Sequence, residues 1–329
     1  MQIGIIGTGN VATANYLPPL AARDDVELIY YSRTATKATA AAARFGGRTV
    51  DSIAAMVGAD PDAILVLTGE RQRAEVLAQL LPLGPKRVFC EKPLVAANGQ
   101  ADVTEDDFHT AKALIELARE HDVELAMVFN YRFFRQIARA RKLRDERDFG
   151  ALRQVTATVH YACWSHAIDL ILDAAGPLSE VSALAGEATY EGAGMTARDV
   201  MAGLRFESGA TGTILGSAGM GFDFDLFEIL LVYERGRLRL RDLDGDLEVM
   251  DAAAGTQELL RLPPDLNRWG QYTASFAASV NAYLTTVAAG TPPPVPGLAG
   301  LRELQAEAAM RRSVRERRPV QVTTEFPID

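Results

Sequence analysis

The chain has 329 residues, 48% of them hydrophobic and 23% charged, which suits a globular protein long enough for two domains. A formal charge of −9 argues against nucleic acid as a partner, because phosphate backbones select basic faces, and no run of about 18 apolar residues is present to span a membrane. Two cysteines, Cys90 and Cys163, exclude a disulfide framework and a cysteine zinc site. No His/Cys/Asp cluster has ligand spacing, so no metal is expected, and without a signal-peptide pattern the chain is expected in the cytoplasm.

In chain order, residues 1 to about 126 alternate short apolar strands with helical segments, the pattern of a parallel sheet covered on both faces. The predicted strands are Gln2–Ile6, Val26–Tyr31, Ala63–Leu67, Arg87–Cys90 and Glu124–Phe129. Helices are expected at Ala12–Ala22, Lys37–Phe45, Arg71–Leu81 and Asp106–His121. A domain boundary is placed after residue 126, giving domains 1–126 and 127–329. A helix at Phe134–Arg144 opens the second half. Alternating segments follow at Leu152–Tyr161, Ser179–Tyr190, Asp199–Phe206, Thr211–Ser217, Phe222–Tyr233 and Arg237–Leu240. Turns such as Glu207-Ser208-Gly209 and Asp244-Gly245 separate them, so this half reads as a largely antiparallel sheet. Two helices, Trp269–Ala289 and Gly300–Arg317, flank the stiff connector Thr291–Pro296.

The first strand runs into Gly7-Thr8-Gly9-Asn10-Val11-Ala12, a G-x-G-x-x-A turn at a helix start. Gly7 permits the tight turn, a side chain at Gly9 would keep a pyrophosphate from the backbone, and Ala12 lets the helix pack closely. Free N–H groups at the helix start then face the phosphates. After the second strand, Ser32-Arg33-Thr34 stands where an NAD-preferring site usually has an acid for the ribose 2′-hydroxyl. A hydroxyl, a guanidinium and Lys37 one turn later suit a 2′-phosphate instead, so NADP(H) is favoured, with NAD(H) the alternative. Thr68 and Gly69 after the third strand, and Glu91 and Lys92 after the fourth, are expected among the cofactor contacts. Lys92, in Glu91-Lys92-Pro93, lies at a carboxyl strand end, where a lysine can donate to a substrate oxygen.

Together with Phe129-Asn130-Tyr131-Arg132 and His166-Ala167-Ile168-Asp169, these motifs resemble the glucose–fructose oxidoreductase/inositol dehydrogenase (Gfo/Idh/MocA) family. The closing Gly300-Leu301-Arg302, Arg311-Arg312-Ser313 and Arg317-Arg318-Pro319-Val320 are similar to that family's last helix, so the likeness runs along the whole chain. The resemblance implies an α/β fold: an N-terminal doubly wound Rossmann domain plus a C-terminal α/β domain with a large, mostly antiparallel open sheet. That sheet would join a homodimer or homotetramer. It further implies hydride transfer between a nicotinamide and a keto-sugar, cyclitol ketone or similar small carbonyl. Carried over by position, Lys92 is the active-site lysine and His166 the acid/base. Asp169, at i+3, can orient the imidazole or hold up its pKa. Tyr131, Arg132 and Trp164 join His166 in shaping the substrate pocket.

Two departures stand out. Ala162 occupies the place of a frequent aspartate four residues before the histidine, and the usual glycine-rich loop is missing. His160 is therefore a second candidate for the acid/base, and Cys163 is expected to be open to alkylating reagents. Asp242–Glu248 looks like a calcium loop, but its glycine is misplaced and Asp244-Gly245 reads as a hairpin turn. An imine reductase is the nearest alternative chemistry, and a non-catalytic NAD(P)-sensing regulator is the alternative outside enzymes.

Overall fold

The structure is a computed structural model and describes residues 1–192, 194–219 and 225–328. The chain divides into two compact units. The first comprises Met1–Gln100, Asp106–Phe129 and Phe276–Leu304; the second comprises Ala101–Glu105, Asn130–Ser275 and Gln305–Asp329.

Six parallel strands build the first unit: β1 (Gln2–Ile6), β2 (Glu27–Tyr31), β3 (Arg48–Thr49), β4 (Ala63–Val66), β5 (Arg87–Glu91) and β6 (Glu124–Val128). Their order is β3-β2-β1-β4-β5-β6, so the chain turns outward in opposite directions on either side of the β1/β4 pair. Every residue of β4 is buried, which is why these strands read as continuous apolar runs without alternation. The five expected strands are present; β3, two exposed residues long, has no apolar pattern to detect.

The first helix begins as a π-helical turn, Ala12–Tyr16, and continues as α1 (Leu17–Ala21). Pro18 and Pro19 lack the N–H groups that an unbroken α-ladder needs here, a local cause for the wide turn. Next come α2 (Ala35–Phe45), α3 (Ile53–Gly58), α4 (Glu70–Leu80) and α5 (Glu105–Glu120). The sequence reading passed over α3, which is one and a half turns long and starts where the Ser52 side chain accepts the Ala55 N–H at 3.0 Å. Residues 276–304 return to this unit. There Tyr283 stacks on Phe89 with ring centres 4.3 Å apart, and Phe276 meets Tyr16 edge-on at 5.1 Å.

The second unit holds α6 (Arg135–Glu146), β7 (Leu152–His160), α7 (Trp164–Ala175), β8 (Leu178–Gly192), β9 (Met195–Phe206) and β10 (Thr211–Ser217). It continues with β11 (Phe227–Tyr233), β12 (Gly236–Arg241), β13 (Leu247–Asp251) and β14 (Thr256–Leu260). Helices α8 (Arg268–Ala289) and α9 (Gly297–Glu316) follow, shared in sequence with the first unit, then β15 (Val320–Gln321) and α10 (Val322–Glu325). The strands form one nine-stranded sheet, β14-β13-β12-β11-β7-β10-β9-β8-β15, antiparallel except for the β7/β10 pair. The predicted start of β11 at Phe222 lies outside the described residues, and the observed strand begins at Phe227.

Register across this sheet separates two faces. One cross-strand row, Ala183, Ala202, Ile214, Ala157, Ile229 and Leu240, is buried throughout. The next row along, Leu184, Met201, Leu215 and Thr158, is exposed. Alternation thus assigns one face to the core and leaves the other outward. Among the described residues, no helix is long and apolar enough to cross a membrane.

Candidate cofactor and catalytic sites

Gly7 adopts φ +95°, and its N–H donates to the Tyr31 carbonyl at 2.9 Å. A Cβ there would come within 2.8 Å of the Thr68 backbone nitrogen, so the turn admits only glycine. Gly9 differs: a Cβ built on it meets nothing within 4 Å. No protein atom requires glycine at that point, and the bare backbone borders open space that a ligand can approach closely.

That space is a cavity of about 250 Å³ lined by the Gly7–Gly9 turn, Ser32, Arg33, Thr34, Lys37, Thr68 and Gly69. The hydroxyls of Thr8 and Thr68 are buried there without a hydrogen-bond partner among the described residues. Such groups cost free energy unless something fills the site. Arg33 and Lys37 are exposed and, among the described residues, have no carboxylate within ion-pairing distance. Orphaned hydroxyls, a bare glycine backbone and two uncommitted cations fit a phosphate-bearing dinucleotide. Asn10 and Val11 are exposed at the helix start and do not line the cavity.

Glu91 and Lys92 also lie away from the walls of that cavity. The Tyr16 hydroxyl donates to one Glu91 oxygen, and the other accepts the Lys92 backbone N–H at 2.8 Å. The Lys92 Nζ donates to Gln100 Oε1 at 2.8 Å, which anchors the amine within its own unit. Beneath this turn sits Arg73, only 2% exposed. It donates to the Pro93 carbonyl and, at 2.7 Å, to the Thr68 carbonyl. Burial lowers its pKa, while the nearby charge of Glu91 opposes that shift. One guanidinium therefore ties the lysine turn to the cofactor loop.

In the second unit, α7 carries His166, 3% exposed, with its ring stacked on Tyr131 at 3.8 Å and 6°. Tyr131 is hydrogen-bonded to Cys163 Sγ at 3.0 Å, and burial holds its phenol well above the usual range, so it stays neutral. Trp164 is buried two residues before His166, at the start of the same helix. Cys163 is 1% exposed, which corrects the expectation of easy alkylation.

Asp169 is paired with Arg132. Both of its oxygens are taken by Arg132, through Nη2 and through Nε at 2.7 Å, and Arg132 Nη1 reaches Asp173 at 2.6 Å. A planar guanidinium satisfies both oxygens of a buried carboxylate, which an imidazole cannot do. Burial still pushes the Asp169 carboxyl up to about 6, with Arg132 pulling the other way. Arg132 is accordingly held by carboxylates instead of being free for substrate. His160 Nδ1 accepts the Ala162 N–H at 3.0 Å, so this second histidine caps the turn into α7. Sequence reasoning missed Arg73, Gln100 and Tyr16, because no motif marks residues that act only through contacts with other parts of the chain.

Residues 1–129 match the Gfo/Idh/MocA family model, described as "Oxidoreductase family, NAD-binding Rossmann fold". Among curated protein sequences none matches the chain significantly. Solved structures share the fold along the whole chain. An oxidoreductase from Agrobacterium radiobacter, in complex with NAD+, L-tartaric acid and magnesium, gives a TM-score of 0.80 at 15% identity over 99% of both chains. UDP-N-acetylglucosamine 3-dehydrogenase from Acidithiobacillus ferrooxidans gives 0.74 at 21% identity, over 96% of this chain and 98% of that one. A putative NADPH-dependent oxidoreductase from Desulfitobacterium hafniense gives 0.79 at 16% identity over 99% of both. The match identifies residues 1–129 as an NAD-binding Rossmann domain of the Gfo/Idh/MocA oxidoreductase type, and the rest of the chain shares the fold of these solved structures.

Proposed function

We propose that this oxidoreductase uses NADP(H) to interconvert a hydroxyl and a carbonyl on a small, sugar-like molecule. The observation that carries the cofactor choice is the pair Arg33 and Lys37 on the cofactor cavity, without carboxylate partners among the described residues. Two cations and the Ser32 hydroxyl suit a 2′-phosphate, and the end of β2 carries no acid to accept from a 2′-hydroxyl; the carboxylate in the cavity lining, Glu75, comes from α4. The bound nicotinamide supplies or takes the hydride. Thr8, Thr68 and the Gly7–Gly9 backbone would hold the phosphates.

In this reading Lys92 donates to the substrate oxygen as negative charge develops on it. Gln100 limits where that amine can point. His166 moves the proton, giving it to the oxygen in reduction and removing it in oxidation. Stacking on Tyr131 fixes the plane of its ring. The substrate class is supported by structural neighbours that include a UDP-N-acetylglucosamine 3-dehydrogenase. Self-association through the outward row of the nine-stranded sheet belongs to the same proposal.

Fluorescence titration with NADPH and NADH tests the cofactor choice. NADPH should bind at least about tenfold more tightly, and R33A should remove most of that margin, since a charge-assisted hydrogen bond is worth roughly tenfold or more. Tighter binding of NADH would overturn it. For the chemistry, H166A and K92M should lower turnover about a hundredfold or more while NADPH affinity stays within about twofold. Unchanged turnover in H166A would remove the imidazole from the mechanism.

A further inference from the structure

A second cavity, of about 350 Å³, lies wholly within the second unit. Tyr161 and Trp164 wall it from the turn into α7, Arg198 from β9, and Glu307 and Arg311 from α9, with Asp102 at its edge. Its shape is built in. A Cβ on Gly216 would come within 2.6 Å of the Trp164 ring, so the indole lies against bare β10 backbone. The Tyr161 hydroxyl donates to the Arg198 carbonyl at 2.8 Å.

Both arginines are held by backbone. Arg198 Nε donates to the Gly186 carbonyl, and Arg311 Nη2 donates to the Ala101 carbonyl at 3.1 Å. Among the described residues neither guanidinium has a carboxylate within 4.0 Å, although most other arginines of this unit do. A guanidinium has five donors, and a single carbonyl uses few of them. Two backbone-anchored forks lining one cavity, from β9 and from α9, match the two oxygens of a carboxylate.

The remaining lining narrows the ligand. Glu307, 3% exposed, and Asp102 would repel a compact inorganic anion, but they accept from hydroxyls. Thr189 and Thr196 add hydroxyl partners, and Trp164 offers a flat apolar face to the C–H side of a sugar ring. The volume is at the low end for small-molecule sites, about that of a monosaccharide and not a nucleotide sugar.

We propose that this cavity binds a small polyhydroxy carboxylate, a sugar acid, through Arg198 and Arg311. The ligand would touch Trp164, the first residue of the helix that carries His166. Whether it is substrate or effector rests on the oxidoreductase reading; the binding site itself does not.

Calorimetric titration of the full chain with D-glucuronate, D-glucose and inorganic phosphate is the test. Glucuronate should bind at least about tenfold more tightly than either control, and R198Q and R311Q should each weaken it about tenfold. NADPH titration of both variants should match the wild type, which shows that they are folded. Absent heat with glucuronate, equal affinity for glucose or phosphate, or undiminished binding in both variants would overturn the site. NADP+ reduction at saturating glucuronate would make the ligand a substrate, and binding without turnover an effector; each supports the site. Failure of NADPH to bind, with glucuronate binding intact, would sink the cofactor proposal alone.

Discussion

Asp169 shows how burial and pairing compete on one carboxylate. Only 1% exposed, it is gripped by Arg132 through both oxygens, yet its pKa is pushed up to about 6 from the ordinary 3.8. Desolvation is the larger influence, so the ionised form is the costly one in the folded state. Between pH 6 and 3.8 the native protein then holds more protons than the unfolded chain. This group's contribution to stability therefore rises as pH falls through that window and is flat outside it. The Tm difference between wild type and D169N should shift in the wild type's favour from pH 6.5 to 4. A difference that does not change with pH would show that the carboxyl titrates at its ordinary value. At this scale the sequence marked Lys92 and His166 by motif. It could not say that Asp169 would turn to Arg132, because that choice is made by a residue 37 positions away.

Helix α4 connects two loops that the sequence treats separately. It presents Arg73 to the carbonyls of Thr68, beside the cofactor cavity, and of Pro93, next to Lys92. R73M would leave both carbonyls without this donor and should cost about 2 kcal/mol of stability. Because the same side chain positions Lys92, turnover should also fall at saturating NADPH. R73K, with one point charge and no fork, should restore stability more fully than turnover. Lost stability with unaltered turnover and NADPH affinity would reduce Arg73 to a structural role. Most elements were legible because their apolar residues carry a period or a continuous run. Among the elements not read from the sequence, α3, β3, β15 and α10 are too short for a period and β14 is solvent-facing along most of its length, whereas β13 alternates and was passed over.

For the molecule as a whole, the outward face of the nine-stranded sheet sets the expectation of self-association. Leu184, Met201 and Leu215 stand directly opposite one another on three adjacent strands and are 64%, 47% and 38% exposed. A contiguous apolar row on an open sheet face is the kind of surface that buries itself against a second copy. Sedimentation velocity should find a dimer or tetramer for the wild type and a smaller species for M201D, whose charge would be buried unpaired at the centre of the row. A monomeric wild type, or an M201D assembly of unchanged size, would move the interface elsewhere.

Most strands and helices, the glycine turn that a dinucleotide requires and the candidacy of Lys92 and His166 were legible in the amino-acid sequence alone. Each depends on periodicity or on local backbone geometry, which neighbouring residues fix. The partners of those groups were not: Gln100 on Lys92, Tyr131 on His166, Arg132 on Asp169, and Arg198 with Arg311 around a shared cavity. Such pairings join residues distant in the chain, and only the packed sheet and helices decide which side chains meet.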